Sequence, residues 1–167
     1  QVHRAAAYYL FSQLENGVQC PVTMTFAVVP VMARHPQLAA DWLPRLLAND
    51  YDPRLTFVRS KKAVTMGMGM TEKQGGSDVR SNTTLAQAVG MSEWGEQYQV
   101  TGHKWFFSAP MCDAFLILAQ TDPGSSAGLT CFFLPRVLPD GSLNRIRIQR
   151  LKDKIGNHSN ASSEVEF

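Results

Sequence analysis

The first third of the chain has the hydrophobic pattern of helices. Apolar residues recur there at intervals of three and four positions, which places them on one face of a helix. The pattern predicts three helices: one that ends at Asn16-Gly17, one that starts at Pro21, and one that starts near Pro36. The second is apolar almost all round, so we expect it to be deeply buried, and we expect Pro30 to kink it or end it early. The third is expected to bury Leu38, Trp42, Leu46 and Leu47.

Beyond Lys62 the pattern changes to short apolar runs separated by turn residues. A hairpin connection is predicted at residues 91–96, a flexible loop at 123–126 and a tight turn at 139–141. The predicted strands are residues 63–70, 83–89, 97–107, 114–120, 129–134, 145–149 and 164–167. Short strands at such intervals are typical of a barrel or a sandwich. We therefore predict an α+β chain, in which an N-terminal helical segment precedes an antiparallel β-barrel or β-sandwich.

Composition mainly excludes classes of function. The 167 residues carry a formal net charge of +2, which is too small to argue by itself for a nucleic-acid partner. The histidines and cysteines show no metal-ligand spacing, and the three cysteines are expected to be reduced and buried, as in a cytoplasmic protein. The most apolar stretch, residues 21–33, is shorter than the roughly 20 residues that a bilayer span needs. No signal peptide opens the chain and it ends inside a predicted strand, so we expect a piece of a larger protein.

One segment, GMGMTEKQGGSDVRS at residues 67–81, carries the candidate chemistry. Gly75 and Gly76 allow backbone N–H groups to converge on one point, which is the geometry that holds an anion such as a pyrophosphate. Ser77 adds a hydroxyl, and Thr71 can offer an N–H and an O–H to a planar heterocycle. The alternative is a glycine-rich hairpin loop without a ligand. The sequence has neither a Rossmann Gly-x-Gly-x-x-Gly nor a Walker Gly-Lys-Ser/Thr loop, which argues against nicotinamide cofactors and nucleoside triphosphates.

Residues 69–81 resemble the signature of the acyl-CoA dehydrogenase superfamily in every fixed position: small, aliphatic, Ser/Thr, Glu, two free, Gly-Gly-Ser-Asp, two free, small. Residues 102–108 are similar to the Gly-x-Lys-x-Trp-Ile-Thr/Ser segment of the same family. Within it, both blocks and residues 150–162 most resemble the AidB-like, alkylation-response branch. Lys73 stands where ordinary members have proline, and Phe106 stands where they have tryptophan.

This resemblance implies an FAD-dependent flavoprotein. Residues 1–61 would be the end of an N-terminal helical domain and residues 62–167 the flavin-binding middle β-domain, with the C-terminal helical domain absent. In the family, a glutamate of that C-terminal domain removes the α-proton of an acyl-CoA and the β-hydride passes to flavin N5. No catalytic base is therefore expected in this chain, and Glu72 is expected to be a loop residue. The resemblance also implies an acyl-CoA substrate and a homotetramer.

The resemblance assigns flavin contacts as well. Met70 and Thr71 would bond the pyrimidine edge of the ring, Ser77 would reach the pyrophosphate, Phe106 would lie against the isoalloxazine, and Ser108 would approach N5 or O4. Such hydrogen bonds stabilise the charge of the reduced ring. From the residues alone, 106 and 107 could instead simply alternate between core and surface. The full set of predicted cofactor contacts is Met68, Met70, Thr71, Gly75, Gly76, Ser77, Phe106, Phe107 and Ser108.

Basic residues gather near the end of the sequence, where Arg145 and Arg147 are expected to share one strand face. They could meet CoA phosphates or nucleic acid, or form a solvated face balanced by Asp140 and Asp153. The AidB-like resemblance implies a second hypothesis: a DNA-associated flavoprotein that protects DNA from alkylation, with weak or no dehydrogenase turnover and its DNA contacts mainly in the C-terminal domain. Aromatic residues interleaved with basic ones, as for single strands, are not evident. The basic cluster is Arg136, Arg145, Arg147, Arg150, Lys152 and Lys154.

Overall fold

Three helices open the fold, which is described by a computed structural model for residues 1–123, 125 and 127–167. They are α1 (Val2–Leu14), α2 (Gln19–Met32) and α3 (Pro36–Leu46). Helix α2 begins two residues before Pro21, and it ends two residues after Pro30. All three predicted helices are therefore present.

Helix α2 is buried along one face only, so the prediction of deep burial is wrong for the described chain. Met24, Val28 and Met32 follow one another at a spacing of four and face the core, whereas Val22 and Phe26 are about half exposed. Helix α1 has no buried residue. The cause is the one-sided packing of α2, whose neighbours among the described elements are chiefly α3 and the first strand.

The described residues of the second part of the chain form eight strands: β1 (Met66–Gly69), β2 (Leu85–Ser92), β3 (Gly95–Thr101), β4 (His103–Ser108), β5 (Ala114–Gln120), β6 (Leu129–Pro135), β7 (Arg147–Leu151) and β8 (Ser162–Glu166). The predicted strand at 97–107 is divided in two at Gly102, which has a φ of 152°. The predicted hairpin is confirmed, because β2 and β3 pair directly around Glu93 and Trp94. Arg145 lies before β7, so it does not share a strand face with Arg147 as predicted. Gly124 and Ser126 of the predicted flexible loop lie outside the described residues.

The strands form one branched sheet with the order β3-β2-β5-β1-β4-β8-β7. Strand β6 occupies one edge of β5 along its whole length, whereas β1 pairs with the other edge over Ala114–Ile117 and β2 meets that edge at Gln120. The β1–β5 and β2–β5 pairs are parallel and the other pairs are antiparallel. The α+β fold is thus confirmed, but the sheet is not closed, and the prediction of a barrel is corrected to an open, mostly antiparallel sheet.

In the part of the chain that the structure describes, the buried apolar residues form two clusters. In the first, Trp42 of α3 meets Trp94 and Phe133 edge-on, with centroid distances of 5.9 and 4.9 Å. In the second, the rings of Phe107 and Phe115 lie 4.3 Å apart, which joins β4 to β5. Helix α3 buries the predicted residues except Leu47, which follows the end of the helix and is exposed; the buried ones are Leu38, Trp42 and Leu46.

Gly69 should not tolerate a side chain, because the ring of Phe107 lies directly against β1. A Cβ at position 69 would overlap Phe107 Cδ2 and lie 2.9 Å from Cε2, and Phe107 is fully buried. We expect Gly69→Ala to lower the free energy of unfolding by about 1–3 kcal/mol in urea denaturation. Gly156→Ala is the control, since nothing lies within 4 Å of its Cβ position. Equal losses in the two variants would contradict this account.

The three cysteines are free, but they are not all buried. Cys112 is buried, and burial raises the pKa of its thiol to about 11. Cys20 is half-buried, and Cys131 is exposed on β6, which corrects the prediction for that residue. Among the described residues, no helix combines the length and apolar character that a membrane crossing requires.

Candidate functional site

A β-bulge in β4 determines which of its side chains reach the surface. From Lys104 to Phe107 the chain advances three residues, whereas the paired residues of β8 advance two. The extra residue breaks the alternation of the strand. Lys104 and Phe107 are consequently both buried, while Trp105 is half-buried and Phe106 is 42% exposed. The predicted alternation of buried and exposed side chains therefore holds for Phe106 and Phe107. It fails for Lys104 and Phe107, which a regular strand would place on opposite faces.

The same bulge fixes the start of the glycine-rich loop, residues 71–81. The N–H groups of Trp105 and Phe106 donate to the carbonyl oxygen of Thr71, at 2.8 and 3.5 Å. Met70, the preceding residue, is 49% exposed. Its carbonyl oxygen accepts a hydrogen bond from Asn82 Nδ2 at 2.9 Å, so it is already engaged. The backbone of Thr71 is thereby held next to the exposed side chains of Met70 and Phe106. These two side chains form an apolar surface suited to a flat ring.

The middle of the loop offers free hydrogen-bond donors. Glu72 and Gly75 exchange two backbone hydrogen bonds of 3.3 and 3.2 Å, which turns the chain back on itself. The next two N–H groups, of Gly76 and Ser77, have no partner among the residues that the structure describes. A Cβ at Gly76 would lie 2.9 Å from Thr71 Cγ2 and 3.0 Å from Thr71 Oγ1, so a side chain there would require Thr71 to shift. Free donors beside an open surface fit an anionic group such as the pyrophosphate of FAD.

Glu72, predicted as an ordinary loop residue, anchors the loop from inside. Its side chain is fully buried and accepts five hydrogen bonds. Oε1 accepts from Lys104 Nζ at 2.7 Å and from the Thr84 N–H at 3.1 Å. Oε2 accepts from Gln74 Nε2 at 2.7 Å, and from the N–H and hydroxyl of Thr83 at 2.7 and 3.0 Å. Sequence reasoning missed this network, although a lysine within the apolar strand HKWFFS was a signal for a buried partner.

The charge state of this network follows from its contacts. Burial by itself raises the pKa of Glu72, but the Lys104 ammonium and the donors of Thr84, Thr83 and Gln74 outweigh it and lower the pKa to about 2. Burial lowers the pKa of Lys104, and the nearby carboxylate opposes that shift. We regard the pair as ionised at neutral pH, because five donors surround the carboxylate. A buried carboxylate in this state cannot act as a general base on a surface ligand.

Phe107 is the one predicted cofactor contact whose side chain the structure removes from the surface. Its ring is buried in the second core cluster, and its carbonyl oxygen accepts from Ser163 Oγ at 3.0 Å. The Phe107 side chain therefore lies in the core beneath the site, and its contact with a cofactor stays a prediction. Met68 and Ser108 are half-buried and face each other as a pair across β1 and β4. The predicted contacts thus form two groups, one on β1 with its loop and one on β4.

Cations surround the ring of Trp105, beside the bulge. Lys152 Nζ lies 3.1 Å from the ring centroid, Lys73 Nζ lies 5.6 Å away and Arg150 Cζ lies 5.9 Å away. Glu164 binds both Lys152 and Arg150 at 2.8 Å and compensates part of this charge. Aromatic and basic side chains therefore do meet here, contrary to the reading of the sequence, because folding joins residues that are far apart in the chain.

A cavity of about 900 Å³ adjoins the β4 group. Ala109, which follows Ser108 directly, forms part of its wall, and α2 and the segment after α3 form much of the rest. Its volume lies within the range of small-molecule sites. Its apolar lining includes Val22, Phe26, Val29, Leu55, Ala109 and Met111.

Comparison with known proteins identifies relatives of both parts of the chain. Residues 1–53 match the family described as the adaptive response protein AidB N-terminal domain, and residues 67–167 match the acyl-CoA dehydrogenase middle domain. The AidB protein of Escherichia coli (strain K12) is 54% identical over 167 residues, which are 99% of this chain and 29% of that protein. Acyl-CoA dehydrogenase family member 11 of Caenorhabditis elegans is 33% identical over 177 residues, covering 99% of this chain and 27% of that protein.

A solved structure shares the fold. Caenorhabditis elegans ACDH-11 in complex with C11-CoA superposes with a TM-score of 0.81 at 33% identity, covering 99% of this chain and 28% of that one. The chain thus spans less than a third of the length of each of these relatives.

Proposed function

The chain belongs to the acyl-CoA dehydrogenase family, and we propose that it forms the flavin-binding part of an FAD-dependent oxidoreductase that acts on acyl-CoA. The observation that carries this proposal is the tie between Thr71 and the bulge of β4. That tie brings a loop with free N–H donors next to exposed apolar side chains. FAD needs both features, because it joins a charged pyrophosphate to a flat, largely apolar ring.

The loop would bind the cofactor by its charged and polar groups. The N–H groups of Gly76 and Ser77 have no other described partner and would donate to the pyrophosphate, with the Ser77 hydroxyl adding a donor. The Gly75 N–H is engaged by the Glu72 carbonyl oxygen, and a Cβ at Gly75 would have ordinary contacts only, so Gly75 would contribute to the turn rather than as a donor. Thr71 and the Met70 N–H would bond the pyrimidine edge of the ring.

Strand β4 would support the ring itself. The exposed side chain of Phe106 would lie against the isoalloxazine. Met68, which pairs with Ser108 across β1 and β4, would contact the ring from the neighbouring strand. The Ser108 hydroxyl would donate to N5 or O4, where negative charge develops on reduction. When bound, FAD supplies the hydride acceptor.

The acyl chain of the substrate would occupy the cavity that begins at Ala109, next to Ser108. An apolar chain in that cavity would lie beside the edge of the proposed flavin site. The ACDH-11 structure, a complex with C11-CoA, supports an acyl-CoA as the ligand class. The buried Glu72 is not available as a base, and we propose that a C-terminal domain supplies one, as the family resemblance implies.

The test is the visible absorbance of the purified intact protein, followed by anaerobic addition of short acyl-CoAs. We expect a flavin spectrum that bleaches when substrate is added, because hydride transfer reduces the ring. Free CoA serves as the control and should leave the spectrum oxidised. A protein without flavin after reconstitution with excess FAD would refute the cofactor, and an oxidised flavin after every acyl-CoA would refute the dehydrogenase reaction.

A second candidate function is a DNA-associated protective flavoprotein, which the AidB-like resemblance implies. The observation that favours it is the cation cluster around Trp105, formed by Lys73, Arg150 and Lys152. DNA binding that weakens steeply with salt, in a protein whose flavin stays oxidised with acyl-CoA, would favour this role. For either role we propose that the intact protein is a cytoplasmic homotetramer. Light scattering would test its oligomeric state.

A further inference from the structure

We propose that the buried Glu72–Lys104 pair is a positioning device that holds the glycine-rich loop in register with β4. The ligand concerned, FAD, rests on the function proposed above, whereas the coupling itself rests on contacts within the chain. The pair connects the two groups of predicted cofactor contacts, because Glu72 lies in the loop and Lys104 lies on β4.

The first step is that Glu72 closes the loop at its base. The carboxylate belongs to the residue that enters the loop, and it accepts hydrogen bonds from Thr83 and Thr84, which leave it. The side chain of Gln74 adds a second cross-link, because its Nε2 donates both to Glu72 Oε2 at 2.7 Å and to the carbonyl oxygen of Ser81 at 3.1 Å. The free N–H groups of Gly76 and Ser77 therefore belong to a loop whose two ends are hydrogen-bonded to each other.

The second step is that Lys104, a residue of β4, connects that strand to the cross-linked loop. The bulge turns Lys104 inward, where its ammonium lies 2.7 Å from Glu72 Oε1 and its side chain is fully buried. Lys104 precedes Phe106 by two residues and Ser108 by four on the same strand. Together with the hydrogen bond from the Trp105 N–H to the loop, the pair fixes the distance between the proposed pyrophosphate donors and the proposed ring contacts.

The third step concerns why this chain needs such a cross-link. The loop of residues 71–81 contains no proline, so its backbone lacks the restriction that a proline would impose. Gln74 supplies a hydrogen-bonded constraint in its place. A loop with two adjacent glycines has the most conformational freedom to lose, so fixing it in advance lowers the entropy cost of binding a ligand.

The experiment compares Glu72→Gln and Lys104→Met with a matched control, Asp41→Asn. Asp41 is also a carboxylate in a hydrogen-bonded network, with Arg59 and Trp94, but it lies on α3 and contacts none of the predicted cofactor residues. Two measurements are made on the intact protein. Amide hydrogen exchange is followed without added cofactor, and FAD binding is followed by flavin fluorescence and visible circular dichroism.

We expect both site variants to speed exchange in the loop and in β4 together. We also expect them to raise the FAD dissociation constant about tenfold or more and to change the visible circular dichroism of bound flavin at saturation. Asp41→Asn should leave all three readouts within about twofold of the wild type. A Glu72→Gln protein that binds FAD like the control, with faster exchange confined to 83 and 84, would overturn the proposal.

Two further outcomes remain decisive. If the site variants do not fold, Gln74→Ala removes only an exposed cross-link, and it should still speed exchange across the loop and weaken FAD binding about threefold; a wild-type result would contradict the proposal. If the wild type binds no FAD, the proposed function fails, but the exchange measurement still decides whether the pair couples the loop to β4.

Discussion

Replacing Lys61 by methionine should lower the free energy of unfolding by about 3–5 kcal/mol. The Lys61 side chain is 2% exposed, and its ammonium donates to Asp113 Oδ1 at 2.5 Å. It also donates to the carbonyl oxygens of Asp52 at 2.8 Å and Arg54 at 2.6 Å. Methionine fills a similar volume but donates nothing, so a largely buried carboxylate and two carbonyl groups would lose their partner.

The position of this ion pair explains why the effect should be global. Lys61 lies in the segment between α3 and β1, and Asp113 lies immediately before β5. Asp113 Oδ2 also accepts from the Thr65 N–H at 2.8 Å, so one carboxylate holds the start of two neighbouring strands. Loss of the ammonium weakens the junction between the helical segment and the sheet.

Lys62→Met is the matched control, because it removes the neighbouring ammonium from an exposed side chain. We expect that change to alter stability by no more than about 0.5 kcal/mol. Urea denaturation followed by tryptophan fluorescence measures both variants. If Lys61→Met were as stable as Lys62→Met, the buried pair would not contribute as argued. Removing both charges with Lys61→Met and Asp113→Asn, which keeps a side-chain oxygen that can accept from the Thr65 N–H, should recover part of the loss.

The order of elements was predictable because each depends on local patterns. The limits of β5 and the hairpin around Glu93 and Trp94 follow from alternating apolar residues and turn residues close in sequence. The division at Gly102 depends instead on its positive φ, and the bulge in β4 depends on its pairing with β8, some sixty residues later. The open, branched sheet depends on which strands share β5. No local pattern encodes these long-range choices.

The candidate site was predictable in its loop and only partly in its strand. The glycines and hydroxyls of residues 71–77 identify themselves by residue type, whereas Phe106 and Phe107 are identical in type and differ only through the bulge. Glu72 illustrates the same limit. Its role depends on Lys104 and Thr84, which only the folded chain brings to its carboxylate. The domain boundary at residue 61 and the individual cofactor contacts stay predictions.

Acid should destabilise the protein through Glu72 by an amount on the order of 3 kcal/mol. In the folded state the network lowers the pKa of this carboxyl from 4.5 to about 2. Between these values the unfolded chain takes up a proton that the folded protein does not. The stabilisation is therefore complete above about pH 4.5, and it is lost as the pH falls towards 2.

The comparison that isolates this contribution is wild type against Glu72→Gln, with the free energy of unfolding measured by urea denaturation from neutral pH down to about pH 3. Asp52, Asp41 and Glu164 also have lowered pKa values because of hydrogen bonds from Arg54, Arg59 and Arg150 respectively. Their protonation lowers the free energy of unfolding of both proteins equally and cancels in the difference.

Glutamine cannot be ionised, so the variant lacks the Glu72 contribution at every pH. The gap between the two proteins should be widest at neutral pH and narrow steadily below about pH 4.5. Parallel curves would show that the carboxylate is not held ionised by Lys104, and would remove the electrostatic basis for the loop anchor.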